Sequence, residues 1–501
     1  MTPPPTEIGR KLRGGILWTA LGTGVSNLIR IAQITILGRL LSASEFGVIA
    51  AGLTVLAFLR AISDLGVGLA LVQHRSPRAE HIGTAFTVSL VLGAGLAVGL
   101  LLGAPEVASL FRRPELVDTL RALSVLVLVR GCGSISLLLC QRAMDFRTSA
   151  MVDLMGFTLG AIVSIAAAWG GAGPWALVYG YVVESLLTTA ILLVRYPPGR
   201  PRFDGAAFRE LFRFGAGQTL EGIATIVAQQ GDYAVVTRYL GTSALGFYTR
   251  AYELVTYPAK LFSSILGSVL FPAFSRLQDD RPALAEAYGR TLFVNAIVLL
   301  PASLLMIVVA PEVLRVLLGP GWDASVLPFR VLLVGMLFRT SYKVGAIVSR
   351  ARGAVYFVAV TQILYAGCVV GGALYAVRWG VEGVALTTTI AIMIQFVLLS
   401  CGAAVHADIP LYRLVQVHIP ALFTTAGAAL CGLPMAYAIR AQTDSAVLVV
   451  LATMGVGALG ALAVAYVGVR RGHPLWSWTW GQLRKAKSRR RRQPPGLEGS
   501  P

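Results

Sequence analysis

The amino-acid sequence predicts an all-α polytopic membrane protein of about fourteen transmembrane helices: two six-helix lobes related by a parallel internal repeat, plus two C-terminal helices. Three observations predict it. The 501 residues are 56% hydrophobic and only 13% charged, with a mean hydropathy of +0.71, a composition too apolar for an ordinary soluble domain. Apolar runs follow one another along the chain, each approaching or exceeding the roughly 20 residues that cross a bilayer core of about 30 Å. The second half of the chain also repeats landmarks of the first.

Taken in order, residues 1–14 form a polar, basic N-terminus carrying Arg10, Lys11 and Arg13. The apolar run behind it is too long for a signal-peptide core, so it is expected to remain as the first span. Runs near 15–38, 46–72, 83–103, 117–140, 150–169 and 174–195 make an N-lobe over 15–195. A Pro-containing basic connector, 196–207, separates it from a C-lobe over 208–403, with runs near 208–236, 244–272, 290–310, 327–348, 354–377 and 381–403. Two further runs occupy 415–469, and 470–501 is a basic tail ending in Arg489-Arg-Arg-Arg492, read as an anchor on anionic lipid. An even number of spans puts both termini on one side. Lys and Arg crowd the loops of that side, so the termini are expected in the cytoplasm. The net charge of +19 is explained by this asymmetry, and nucleic acid is not an expected partner.

The repeat is collinear. Gly38-Arg-Leu-Leu-Ser-Ala-Ser-Glu-Phe-Gly47 returns as Thr237-Arg-Tyr-Leu-Gly-Thr-Ser-Ala-Leu-Gly246, and Ala104-Pro-Glu-Val107 as Ala310-Pro-Glu-Val313, both tetrapeptides read as loops after the third span of each half. Arg142-Ala143 corresponds to Arg350-Ala351, and Gly171 with Ala176-Leu177 to Gly380 with Ala385-Leu386. Halves with an even number of spans insert in the same orientation, which places a substrate site between them near mid-membrane.

Charges inside the apolar runs mark that site. A charged side chain at the centre of a spanning helix costs about 2.5 to 3.5 kcal/mol, so it normally faces a partner or a watery cavity. Arg30 lies in the first run, and Arg60 and Asp64 in the second, four apart and so on one helix face. Arg60 with Asp64 reads either as a structural ion pair or as a cavity arginine held by its carboxylate. Arg30 has no acid at helical spacing in its own run. By the repeat offset Arg30 corresponds to Gln229 and Arg60 falls near Lys260. The seventh run adds Gln218, Glu221, Gln230 and Asp232, the eighth Arg250 and Glu253, and Arg121, Arg130, Arg339 and Lys343 sit in spans four and ten. Glu184 stands alone in span six, as a proton site or as the partner of an arginine. The candidate anion-binding set is Arg30, Arg60, Arg250, Lys260 and Gln229; Asp64, Glu221 and Glu253 are candidates for ion coupling or ion pairing. The planar fork of arginine suits phosphate and diphosphate oxygens.

No catalytic or metal-ligating pattern emerges. GxxxxGK[ST], HExxH, GxSxG and CxxC are missing, and the five cysteines lie in apolar runs without a His at ligand spacing. No enzyme, cofactor or metal is expected. The loops read at 104–120 and 311–327 are short for an integral membrane glycan polymerase or ligase, which is one alternative. A multidrug exporter is the other, and it would want an acidic cavity.

The stretch Leu37-Gly-Arg-Leu-Leu-Ser-Ala-Ser-Glu-Phe-Gly-Val48, followed by Ser63-Asp-Leu-Gly-Val-Gly-Leu-Ala-Leu-Val72, resembles the first two helices of the Wzx-type oligosaccharide flippases, the polysaccharide transporter family. That family belongs to the MOP superfamily with the lipid II flippases and the MATE exporters. The echo at Arg238–Tyr252 resembles the start of its second lobe. The resemblance covers 10–470 and implies a V-shaped protein of the bacterial inner membrane. It further implies a central cationic cavity and alternating access carrying undecaprenyl-diphosphate-linked oligosaccharide outward for O-antigen, capsule or exopolysaccharide. Arg30, Arg60 and Arg250 match the helices in which related flippases place cavity arginines. Membrane lipids, a polysaccharide polymerase and chain-length machinery are the other partners it implies.

Overall fold

The computed structural model describes residues 24–63, 70–71, 74, 77–277 and 279–471, apart from the side chains at 61–62, 214–221, 258–269, 271–273 and 275. The Asp64 position, the Glu221 and Lys260 side chains, and the segments 1–14 and 472–501 therefore lie outside the described residues.

Among the described residues the chain is helical throughout. Lipid cannot hydrogen-bond a stray N–H or C=O, so a spanning chain satisfies its backbone within each segment. Helix α1 runs through residues 24–40, followed by α2 (Ala43–Ser63), α3 (Ala79–Phe111), α4 (Leu116–Arg142), α5 (Phe146–Trp169) and α6 (Trp175–Arg195). The second half has α7 (Gly205–Tyr239), α8 (Thr242–Arg276), α9 (Arg281–Val308), α10 (Ala310–Leu318), α11 (Val326–Val334), α12 (Met336–Ala351), α13 (Val355–Ala376) and α14 (Gly380–His406). The chain closes with the short α15 (Leu411–Gln416), then α16 (Ile419–Gln442) and α17 (Ala446–Arg470). Aspartates set several starts: Asp145 accepts from the Thr148 amide, Asp204 from those of Ala206 and Ala207, and Asp280 from that of Ala283. Each satisfies donors that the first helical turn leaves open.

Ten stretches of the described residues are helical, long and apolar enough to cross a membrane, three of them, Asp323–Ala351, Val355–His406 and Leu411–Gln442, running through consecutive helices. The chain is a multi-pass integral membrane protein. Helices α7 and α8, which carry Gln229, Gln230, Asp232, Arg250 and Glu253, are not among the ten.

Two readings of the sequence are corrected. The tetrapeptides 104–107 and 310–313 are not loops: the first continues α3 to Phe111 with Pro105 inside the helix, and the second opens α10. Proline fits a first helical turn, where its missing N–H has no partner to lose. In a membrane helix, neighbours can satisfy the carbonyl it frees. The span expected over 327–348 is divided at Gly335 into α11 and α12.

Helix α3 packs on α4, and α5 and α4 both pack on α6. In the second half α13 packs on α14 and α7, and α12 on α14 and α8. Helix α2 crosses between the halves onto α8 and α7, while α16 and α17 pair with each other and lean on α9. The largest buried core follows these crossings, joining Phe46 and Ile49 of α2 to Tyr248 and Val255 of α8 and to Trp322.

Candidate functional site

The two halves meet most tightly where α1 turns into α2 and α7 into α8. An ideal Cβ on Gly47 would stand 1.7 Å from the Thr242 carbonyl oxygen, and one on Gly246 1.8 Å from that of Ala43. Only glycine allows backbones this close. The contacts around this crossing are reciprocal. Arg39 Nη2 donates to the Val316 carbonyl at 2.9 Å, and Arg238 Nη1 donates to the Leu110 carbonyl. Trp322 Nε1 donates to the Gly38 carbonyl at 3.0 Å, and Arg113 Nε to the Thr237 carbonyl at 3.3 Å. Each bond joins one half of the chain to the other. This end of the molecule is therefore closed.

Directly beneath the closure lies a cavity of about 150 Å³ lined by α1, α2, α5, α6, α7 and α8. Its charged groups are Arg30, Arg250 and Glu253. The Arg30 guanidinium carbon stands 4.0 Å from the centroid of the Phe157 ring, and that of Arg250 4.5 Å from the Phe46 ring. Cations over aromatic faces are attracted by the ring quadrupole, which fixes their position without using their hydrogen-bond donors. Arg250 also pairs with Glu253 at 2.9 Å across one helix turn, and its Nε is buried with no hydrogen-bond partner among the described residues. A buried donor without an acceptor costs about 1–3 kcal/mol. Such a donor is one an incoming oxygen can satisfy.

The structure thus brings Arg30, Arg250 and Glu253 into one lining. Gln229 is exposed and outside this lining; its neighbour Gln230 is in it, where its Oε1 accepts from Thr54 Oγ1 at 3.3 Å. Successive helical residues point about 100° apart, so a repeat offset correct to within one position still names the wrong face. Arg60 is half-buried near the end of α2 and outside the lining. It is not free, and Glu184 lies within its electrostatic reach.

Sequence reasoning missed two features. Asp153 on α5, which the sequence reading did not name, lies within electrostatic reach of Arg30, as does Glu184 on α6, read there as a proton site or the partner of an arginine; this arginine thus has acidic neighbours on other helices although its own span has none. Asp232 is almost fully buried in the second half, accepting from Tyr248 Oη at 2.7 Å, Thr388 Oγ1 at 3.4 Å and the Tyr233 amide at 2.9 Å. Asp232 was noticed only as one of several polar residues in its run. Its hydroxyl partners come from α8 and α14, which no spacing within α7 could indicate.

Comparison with known proteins places this architecture. The family model described as "Polysaccharide biosynthesis protein" matches residues 36–327. The succinoglycan biosynthesis transport protein ExoT of Rhizobium meliloti is 29% identical over 386 residues, covering 75% of this chain and 78% of that protein. The lipopolysaccharide biosynthesis protein WzxC of Escherichia coli is 26% identical over 376 residues, covering 73% of this chain and 76% of that protein. Among solved structures, the lipid II flippase MurJ in an inward closed conformation superposes with a TM-score of 0.76 at 14% identity, covering 91% of this chain and 99% of that one. A multidrug resistance MATE family transporter of the MOP superfamily, in its inward-facing conformation, gives a TM-score of 0.63 at 16% identity, covering 78% and 95%. These two likenesses establish a shared fold.

Proposed function

Because the chain belongs to the polysaccharide biosynthesis protein family, we propose that it is a membrane flippase which carries undecaprenyl-diphosphate-linked oligosaccharide across the inner membrane by alternating access. Transport rather than catalysis is supported by the relatives: ExoT is named a transport protein, and MurJ, which shares the fold, a flippase. The observation that carries the substrate class is the pair of guanidiniums, Arg30 and Arg250, seated on aromatic rings in the cavity between the halves. The lining itself sets two cations against the single carboxylate of Glu253, with Asp153 and Glu184 near Arg30 but outside that lining. That favours an anion and disfavours the organic cations of a drug exporter.

Size supports a two-state cycle. A cavity of about 150 Å³ is smaller than the roughly 300 to 1,000 Å³ of small-molecule sites, room for a diphosphate but not for a glycan. The headgroup sugars need the halves apart, so the closed end must open while the opposite end shuts. The reciprocal crossing at Gly47 and Gly246 is the contact that must break. With the termini in the cytoplasm, the closed end faces outward and the arginines stand open to substrate from the inner leaflet.

The test is complementation of a strain lacking its polysaccharide flippase, with membrane abundance checked for each variant. Arg30→Ala and Arg250→Ala are expected to export little glycan, and Arg→Lys at either position to export at a partial rate, since lysine keeps the charge but loses the fork. Export at the parental rate by both alanine variants at normal abundance contradicts the assignment.

A further inference from the structure

A second cavity, of about 710 Å³, opens at the other end of the molecule, where α9 begins, α14 ends and α15 runs beside them. Arg281, Arg290 and Arg413 line it, opposed by Glu286 and Asp408, so the cations outnumber the acids by one. Arg281 bonds Asp408 and Arg290 bonds Glu286, all four partly exposed; ion pairs of this kind are weak and exchange readily. Arg413 is exposed and has no carboxylate partner among the described residues. The positive end of the α9 dipole also points here, Arg281 being its first residue. Tyr288, Leu414 and Val417 supply an apolar floor.

What stands at the mouth of this cavity says where it lies. On α15, Leu411, Tyr412 and Val415 are 57%, 58% and 66% exposed. Two aliphatic side chains and a tyrosine on the open side of a short helix, beside arginines, are the composition of a segment lying in the bilayer interface. The cavity therefore opens at the level of the lipid phosphates. Its volume falls in the range of small-molecule sites, about 300 to 1,000 Å³.

We propose that this cavity holds the anionic headgroup of a membrane phospholipid, its phosphate bound by Arg413 and by Arg281 in exchange for Asp408, and its acyl chains lying along Leu411 and Val415. A phosphodiester with one negative charge balances the excess cation. Because α9 and α16 pack on each other beside the site, a bound lipid joins the second half to the C-terminal helix pair. The site is separate from the one between the halves and does not depend on its reading.

The experiment uses the full chain, purified in neutral detergent and examined by native mass spectrometry with added phosphatidylglycerol, phosphatidylcholine, inorganic phosphate or inorganic diphosphate. Wild-type protein is expected to retain one phosphatidylglycerol more tightly than the rest, and no phosphatidylcholine at the same concentration. Arg413→Ala is expected to weaken that retention about fivefold, the factor that one arginine near a lipid surface carries. Arg195→Ala, at an exposed arginine that ends α6 in the first half, is expected to leave it unchanged. Equal losses in the two variants mean general surface attraction and overturn the proposal. Saturation by inorganic phosphate or diphosphate with no phosphatidylglycerol retained makes the occupant a soluble anion and overturns it equally. Thermal unfolding of each variant in phosphatidylcholine micelles checks the fold, and an Arg413→Lys variant that retains lipid while Arg413→Ala does not assigns the loss to charge.

Discussion

Adding one methyl group at Gly47 should force the closed end apart. In Gly47→Ala the new Cβ would stand 1.7 Å from the Thr242 carbonyl oxygen, and in Gly246→Ala 1.8 Å from that of Ala43. A carbon–oxygen contact needs about 3.3 Å, so either substitution demands a backbone separation of about 1.6 Å. The atoms in the way are backbone, and no rotamer change relieves the clash. Overpacking of this kind costs about 1–3 kcal/mol, which shifts a two-state equilibrium about 5- to 150-fold away from the closed crossing. Spin labels at Leu40 and Tyr239, the partly exposed ends of α1 and α7, in a cysteine-free background, report the distance across this end. Either alanine variant should move the distribution to longer distances, and the double variant no less far. An unchanged distribution in both single variants, folded and inserted, would refute the reasoning.

Other expectations follow from the same geometry. Cysteine labelling at Ser42 and Ser445 should be accessible from outside intact cells, and at Thr6 and Ser488 only from inside; labelling of Ser488 from outside overturns the orientation. Tyr196 Oη donates to Asp145 Oδ2 at 2.6 Å, so Tyr196→Phe should lower unfolding stability by about 1 kcal/mol at neutral pH. Burial pushes the Asp145 carboxyl upward, but the Thr148 and Tyr196 hydroxyls and the Thr148 amide outweigh it and hold that carboxyl below its usual range. A depressed carboxyl stabilises the fold above the ordinary aspartate value and loses that contribution as pH falls. The deficit of Tyr196→Phe should therefore shrink on acidification, and a pH-independent deficit in thermal melts speaks against the account. Glu253→Gln releases Arg250 from its partner and should tighten binding of inorganic diphosphate, measured by calorimetry; weaker binding contradicts a purely pairing role for Glu253.

The membrane character and the intramembrane positions of Arg30 and Arg250 were legible because both are local properties of the sequence. An arginine in an apolar run is conspicuous wherever the run is placed, and Arg250 with Glu253 is a spacing of three on one helix. What could not be read depends on contacts between distant helices. Arg30 gains Asp153 from α5, and Asp232 gains Tyr248 and Thr388 from α8 and α14. The glycines of the two repeated segments were visible as matching letters. Their use, as the points where two backbones touch across the halves, belongs to the crossing of α2 and α8. The choice of Gln230 over Gln229 turns on 100° of helical phase, finer than an alignment by loose hydrophobic landmarks resolves.

The central claim is that Arg30 and Arg250 recognise the diphosphate of a lipid-linked glycan and that the chain moves it between leaflets. It is tested most directly by flipping of undecaprenyl-diphosphate-linked oligosaccharide in liposomes containing the purified full chain, without ATP. The account predicts transfer between leaflets by the wild type and none above the protein-free rate by the Arg30→Ala, Arg250→Ala double variant inserted at equal density. Transfer by the double variant at the wild-type rate contradicts it.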